Sequence, residues 1–158
     1  MGDLDPETKS MIDRICRQTV DFKACEMMVT SQLSSPHADI ATITNVMTKR
    51  ALTFAGETLG QIQDYLLPNA TDSRDKAVFL ACKIAYKAVV SRLQSADQSF
   101  SRGDYVAMKA EQSQALAYIE VCVKRTDFFR RTPIIGVSYW ARLMTKIASI
   151  AAHILAPP

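Results

Sequence analysis

Residues 82–122 read CKIAYKAVVSRLQSADQSFSRGDYVAMKAEQSQALAYIEVC. Cys82 lies twenty residues before Arg102, and Cys122 lies twenty residues after it. Before Gly103, Val78, Cys82, Ala85, Val89, Leu93, Ala96 and Phe100 recur at helical spacing. After it, Tyr105, Met108, Gln112, Ala115, Ile119 and Cys122 follow at alternating intervals of three and four, a bundle-type seam. The spacing predicts two helices folded back on each other about Arg102-Gly103-Asp104. At about 1.5 Å rise per residue, both sulfurs stand about 30 Å from that turn and level with each other. A cross-link between the two antiparallel helices is then within geometric reach.

The flanking segments carry the same periodicity. Asp5-Pro6 opens a short helix to Cys16, with Asp5 as N-cap and Pro6 at the first helical position. Thr19–Phe22 breaks it, and Lys23–Leu33 resumes with Ala24, Met27 and Met28 on one side. Residues 6–33 are therefore a helical hairpin too small to hold its own core. Ser35 is read as the cap and Pro36 as the first residue of the next helix, 36–67. Its stripe runs Ile40, Ile43, Met47, Ala51, Phe54, Thr58, Ile62, Leu66, and Leu67-Pro68-Asn69 is expected to end it, because a residue before proline avoids the helical region. Gly56 and Gly60 inside that helix read as a close-packing spot. Further helices are expected over 72–101, 103–131 and 134–156, the last striped by Val137, Trp140, Leu143, Met144, Ile147, Ile150, Ala151 and Ile154. No stretch alternates with period two. The expected fold is all-α: an up-down-up-down four-helix bundle preceded by an α-hairpin, in a single domain, 1–158.

Apolar residues make up 48% and charged residues 22%, which suits a packed globular chain and argues against disorder. No apolar run approaches the ~20 residues of a membrane span. Residues 1–76 hold eight basic and eleven acidic side chains, whereas 77–158 hold eleven basic and five acidic. A basic half favours an acidic partner such as pectate, membrane or nucleic acid, although a solvated face is the plainer reading. Its densest part is Lys124-Arg125 and Arg130-Arg131 around Phe128-Phe129.

Four cysteines allow three pairings, among which sequence alone does not choose. Cys16 and Cys25 straddle one reversal and Cys82 and Cys122 another, so 16–25 with 82–122 is the economical pairing. Zinc is disfavoured, since no C-x2-C or histidine spacing accompanies the thiols. Two disulfides point to an oxidising compartment, and the sequon Asn69-Ala70-Thr71 fits the secretory route. The start, Met1-Gly2-Asp3-Leu4-Asp5-Pro6, lacks the apolar core of a signal peptide, so the leader is absent from this sequence.

Nothing in the chain assembles a catalytic or cofactor constellation. Only His37 and His153 are present, without a nucleophile motif, a HExxH pattern or a glycine-rich phosphate loop. No enzyme activity, cofactor or metal is expected. The methionines on the stripes (Met47, Met108, Met144) read as packing.

The pattern Ile15-Cys16-x8-Cys25, then Cys82-x-x-x-Tyr86, Gly103-Asp104-Tyr105 and the small-residue stretch Ser113–Ala117 before Cys122 resembles the plant invertase and pectin methylesterase inhibitor family. The match spans Ile12 to Leu155. The resemblance implies a four-helix bundle behind a helical hairpin, with first-to-second and third-to-fourth disulfides. It also implies a secreted protein of the cell wall, or alternatively the vacuole, that covers the active cleft of a carbohydrate-active enzyme in a stoichiometric complex. Invertase inhibitors of this family often carry Pro-Lys-Phe in the turn that here reads Gly103-Asp104-Tyr105-Val106, which favours pectin methylesterase as the target. The methylesterase-inhibitor branch tends to have Thr before its fourth cysteine, where this chain has Val121. Val123-Lys124-Arg125 stands where acidic residues are usual, which alters the electrostatic match with a partner. The residues expected to face the enzyme are Lys83, Lys87, Gln112, Glu120 and Val121, and Asn69 is the glycosylation candidate. A nucleic-acid partner is not expected; an inhibitor of cell-wall or vacuolar invertase is the alternative, and a non-inhibitory bundle with weak binding to pectate or membrane through the basic half is a further one.

Overall fold

A computed structural model describes residues 3–126 and 132–158. Its elements are α1 (Pro6–Cys16), α2 (Phe22–Gln32), α3 (Ile40–Gln61), a π-helical turn (Ile62–Leu66), α4 (Leu67–Asn69), α5 (Ser73–Ser101), α6 (Tyr105–Thr126) and α7 (Pro133–Leu155), with no strand among the described residues. The long helices close a ring in which α3 packs on α5, α5 on α6, α6 on α7 and α7 on α3. This is the expected four-helix bundle, and α1 and α2 lie on its α3–α7 side.

Short polar side chains start the helices where they satisfy orphan backbone N–H groups. Asp21 accepts from Ala24 N, Asp39 from Thr42 N, Asp72 from Arg74 N and Thr132 from Ile134 N. The turn between α5 and α6 performs two capping tasks in three residues. Gly103 takes φ +73°, and its N–H bonds to Phe100 O while Asp104 N–H bonds to Ser99 O, closing α5 in a Schellman motif. The Asp104 carboxylate then accepts from Ala107 N and opens α6. Phe100 and Tyr105 pack across the turn with ring centroids 5.9 Å apart.

Both expected disulfides are present, Cys16–Cys25 with Cα atoms 5.5 Å apart and Cys82–Cys122 with Cα atoms 4.6 Å apart. The second is fully buried in the central core with Ala85, Tyr86, Val89, Ala115, Ile119 and Ile134. The first belongs to another apolar cluster, where Ile12, Ile15 and Val29 of the hairpin meet Ile43, Met47, Leu143, Ile147 and Ala151. The hairpin thus borrows the bundle's apolar surface to complete its own core.

Several expectations are corrected. The first long helix begins at Ile40 rather than Pro36, because the backbone before it is engaged elsewhere. Pro36 O accepts from Asp5 N, and Ala38 exchanges hydrogen bonds with the buried Thr8 hydroxyl. Ser35 accepts from His37 N in a local turn instead of capping the helix. The helical path does end in Leu67-Pro68-Asn69, with Ala70 extended, but Leu67 itself stays helical; the π turn ahead of Pro68, with Leu67 N–H bonded to Ile62 O, widens the coil where the proline ring would otherwise crowd a carbonyl. Gly56 and Gly60 are not a packing contact, since a Cβ added at Gly56 would meet nothing within 4 Å and one at Gly60 only Asp64 Oδ2 at 4.0 Å. Ala51 and Ala55 of the same helix are the small residues buried in the core. Met27 and Trp140 are exposed, while Cys25, Val29, Ala141 and Met144 take the buried positions. The stretch 127–131 of the expected helix 103–131 lies outside the described residues.

A polar clasp joins the start of α1 to the loop before α3. His37 Nδ1 lies 2.6 Å from Asp5 Oδ2, and the Asp5 carboxylate also caps α1 through Thr8 N at 2.8 Å. Hydrogen bonds from Thr8, then from His37, lower Asp5 to about 2. The Asp5 carboxylate raises His37 above its ordinary 6.5, with Glu7 and Asp39 adding to the effect. By linkage, the His37 contribution is complete below 6.5 and is lost as pH rises through its elevated value. The Asp5 contribution is complete above 3.8 and is lost as pH falls toward about 2. The clasp is therefore tightest between those ordinary values. Protection factors of the α1 amides, that is exchange rates corrected for the intrinsic pH dependence of amide exchange, should be higher at about pH 5 than at about pH 8, and His37→Asn should abolish the difference. Equal protection factors at both pH values in the parent chain would remove the clasp from this role.

The disulfides should differ in energetic weight. Cys82 and Cys122 are 40 residues apart and Cys16 and Cys25 are 9 apart. On chain entropy the long loop contributes about 4 kcal/mol and the short one about 2.5 kcal/mol. Urea unfolding of the double Cys→Ala variants should rank them in that order.

Candidate functional site

The Cys82–Cys122 staple holds α5 and α6 in register. Ten residues beyond Cys82, Arg92 reaches Glu111, eleven residues back from Cys122, with Nη1–Oε2 at 3.3 Å. The helices therefore run antiparallel at a constant level. Tyr86, one turn after Cys82 and on the same face, is fully buried, and its hydroxyl lies 2.9 Å from Ser138 Oγ of α7. Burial pushes that phenol up to about 12. The Cys-x-x-x-Tyr spacing thus ties three helices at one height: the cysteine binds α6, and the tyrosine reaches α7.

On the outer side at this level the chain leaves apolar residues in water. Leu80 is 48% exposed and Ile84 63% exposed on α5, one turn apart. Tyr118 is 36% and Val121 47% exposed on α6, three residues apart. Leu80 and Ile84 each stand two positions from Cys82, about 200° around the helix, so a seam cysteine forces them outward. Lys87, Lys124 and Arg125 are exposed around this row. An apolar centre with a charged rim is the composition of a protein-docking face.

The residues expected to face a partner do not form one patch. Val121 lies in the row. Lys83 is level with it but falls two heptads before Asp97, the residue that pairs with Lys49 of α3, and so lies on the α3 flank of α5. Lys87, one turn on, is exposed. Glu120 turns toward α7, where it pairs with Arg142. Gln112 is a correction: it is fully buried, and its amide donates to Thr48 Oγ1 of α3 at 3.2 Å. It sits on the same seam as Met108 and Ala115, which rotates it into the bundle. Sequence reasoning missed Leu80, Ile84 and Tyr118, although a large apolar residue off the seam was the available signal.

Other candidates are placed as follows. His37 is exposed in the clasp, and His153 Nδ1 lies 2.7 Å from Ser149 O. Asn69 is exposed at the end of α4, and its amide donates to Tyr65 O at 2.7 Å. Arg130, Arg131 and the phenylalanines before them lie outside the described residues. Among the described residues no three His, Cys, Asp or Glu side chains converge as a metal site, and no helix is long and apolar enough to cross a membrane.

A family model for plant invertase/pectin methylesterase inhibitors matches residues 10–154. Pectinesterase inhibitor 2 of Arabidopsis thaliana is 28% identical over 122 residues, covering 77% of this chain and 70% of that protein. The crystal structure of a mutant form of a pectin methylesterase inhibitor from Arabidopsis superposes with a TM-score of 0.82 at 19% identity, covering 90% of this chain and 95% of that one. A second crystal structure of a pectin methylesterase inhibitor from Arabidopsis thaliana gives 0.72 at 19% identity, covering 94% and 98%. The bundle-and-hairpin architecture is common to all three structures.

The burial of Gln112 has a measurable consequence. Its Oε1 has no hydrogen-bond partner, while the Thr48 hydroxyl donates to Thr44 O regardless of Gln112. Replacing a half-satisfied buried amide by an apolar side chain of similar shape is neutral or stabilising. Gln112→Leu should therefore unfold at the same urea concentration as the parent or a higher one, within about 1 kcal/mol.

Proposed function

The chain belongs to the plant invertase/pectin methylesterase inhibitor family, and from that footing we propose that it inhibits a pectin methylesterase by laying the α5–α6 face over the enzyme's active cleft. The observation that carries this reading is that large apolar side chains, Leu80 and Ile84 of α5 and Tyr118 and Val121 of α6, stand exposed at the level of the buried staple. An interface gains most from apolar and aromatic anchors on a rigid support, because less side-chain and backbone freedom is lost on binding. Here two helices locked by a disulfide provide that support. Lys87, Lys124 and Arg125 would form the rim, steering an acidic surface toward the row and disfavouring a basic one. Gln112 contributes to the bundle interior instead.

Several features support secretion to the cell wall. Two disulfides favour an oxidising compartment, and Asn69 is exposed for glycosylation. The methylesterase reading is preferred to invertase because the Gly103-Asp104 turn is fully occupied by capping and carries no Pro-Lys-Phe. The complex is proposed to be stoichiometric, one chain on one enzyme.

Purified chain should suppress methanol release from pectin by a plant methylesterase and leave sucrose hydrolysis by invertase unchanged. Ile84→Glu should weaken inhibition by about tenfold or more, since a charge would be buried at the centre of the contact. Gln98→Glu, exposed on α5 near the turn, should not alter it. Full potency in Ile84→Glu would place the contact elsewhere, and inhibition of invertase alone would reassign the target.

A further inference from the structure

A cavity of about 300 Å³ opens where the tip of the N-terminal hairpin meets α6 and α7. Thr19 and Val20 supply one wall, Leu116 of α6 a second, and Tyr139, Arg142 and Lys146 of α7 the third. Its volume is that of the smaller ligand pockets. Ile135, Tyr139, Arg142 and Lys146 recur at intervals of four, three and four, so they form one ridge about 16 Å long on α7.

The wall chemistry is uneven. At the apolar end Val20 is 87% exposed, and Tyr139 packs edge-on against the exposed Trp140, with centroids 5.1 Å apart. The Tyr139 hydroxyl donates to Asp21 Oδ2 at 2.9 Å, which pins both the ring and the hairpin tip. At the other end stand two cations, Arg142 and Lys146. Among the described residues Glu120 is the one carboxylate on the lining, and it is already engaged by Arg142. Arg142 meets it through Nε, and the fork of its terminal amino groups suits a second planar acceptor. An aromatic and aliphatic wall facing a pair of cations matches a ligand with a C–H face and a carboxylate on the same ring. An aromatic ring presents a negative face to such C–H groups.

We propose that this cavity is a subsite for an acidic sugar, one uronate unit of an anionic polysaccharide. The pyranose would lie against Tyr139 and Val20, with its carboxylate between Arg142 and Lys146. The strongly basic carboxy-terminal half of the chain, eleven cations against five anions over residues 77–158, extends the attraction to the rest of a polyanion. Leu116 and Glu120 face α7, whereas Tyr118 and Val121 lie on the other side of α6. The subsite thus leaves the α5–α6 face uncovered, and a chain held on the polymer could still engage a protein. This inference does not rest on inhibition, and its test contains no enzyme.

Titration of the isotope-labelled chain with trigalacturonate, followed by amide NMR, should shift signals at Gln18–Val20, at Leu116 and from Tyr139 to Lys146. Lys146→Glu and Tyr139→Ala should each weaken binding about fivefold or more, and Lys124→Glu should change it less than about twofold. The fully methyl-esterified trimer should bind more weakly than the free acid. No shift up to about 10 mM ligand would overturn the proposal, at a standard free energy too small for a specific site. So would equal losses in Lys124→Glu and Lys146→Glu, which would reveal diffuse attraction to the basic half, or equal binding of the esterified trimer.

Discussion

The buried Cys82–Cys122 bridge is the constraint on which most of this structure depends. It joins two helices at a point where their backbones approach to a Cα–Cα distance of 4.6 Å. Ala85, Tyr86 and Ile119 are buried with it in one apolar cluster. The bridge sets the level at which α5 and α6 face each other, and the Arg92–Glu111 pair follows from the same register. Tyr86 converts this pairwise lock into a three-helix one through Ser138. Because the cysteines occupy the seam, their near neighbours Leu80 and Ile84 are turned to solvent. One covalent contact thus accounts for both the rigidity of the pair and the apolar row on its outer side.

The N-terminal hairpin depends on the bundle in a different way. Eleven-residue helices are too short to persist alone, even with a disulfide between them. Their apolar face is completed by α3 and α7, and the polar clasp of Asp5, Thr8, His37 and Ala38 fixes the angle at which they enter. The hairpin tip then reaches α7 through Asp21 and Tyr139 and forms a concave surface with α6. The two sides of α6 consequently differ. One is a convex, disulfide-backed apolar row, and the other is a cationic and aromatic cavity. A protein partner suits the first and a small acidic group the second.

Much of this was legible in the sequence, and for a physical reason. Helix periodicity, the glycine that needs positive φ at 103, the Asp and Thr caps and the symmetric cysteine spacing are local signals, each decided by a few neighbouring residues. They were enough for the helix order and made 16–25 with 82–122 the economical pairing, and the resemblance to an inhibitor family implied the same pairing. Gln112, Pro68, Gly56 and Pro36 were different. Gln112 has a polar side chain on a core seam, and its burial was decided by Thr48 lying opposite on α3. Pro68 was absorbed by a π turn, and the helix start at Pro36 was displaced because the backbone at Pro36 and Ala38 was claimed by α1. Gly56 was left bare because α3 presents Ala51 and Ala55 to its neighbours instead.

The sequence by itself therefore determined what the chain is made of: four amphipathic helices, a dependent hairpin, two staples and membership of an inhibitor family. Only the tertiary structure decided which side chains share a surface. Lys83, Lys87, Glu120 and Val121 are close in number around the staple yet point to different flanks, because 100° per residue separates neighbours that the sequence sets side by side. Leu80, Ile84, Tyr118 and Val121 are brought to one level by a bridge between residues 40 positions apart. Val20 and Lys146 meet around one cavity only because a hairpin and a terminal helix pack together. Such juxtapositions depend on long-range packing, to which local periodicity is blind.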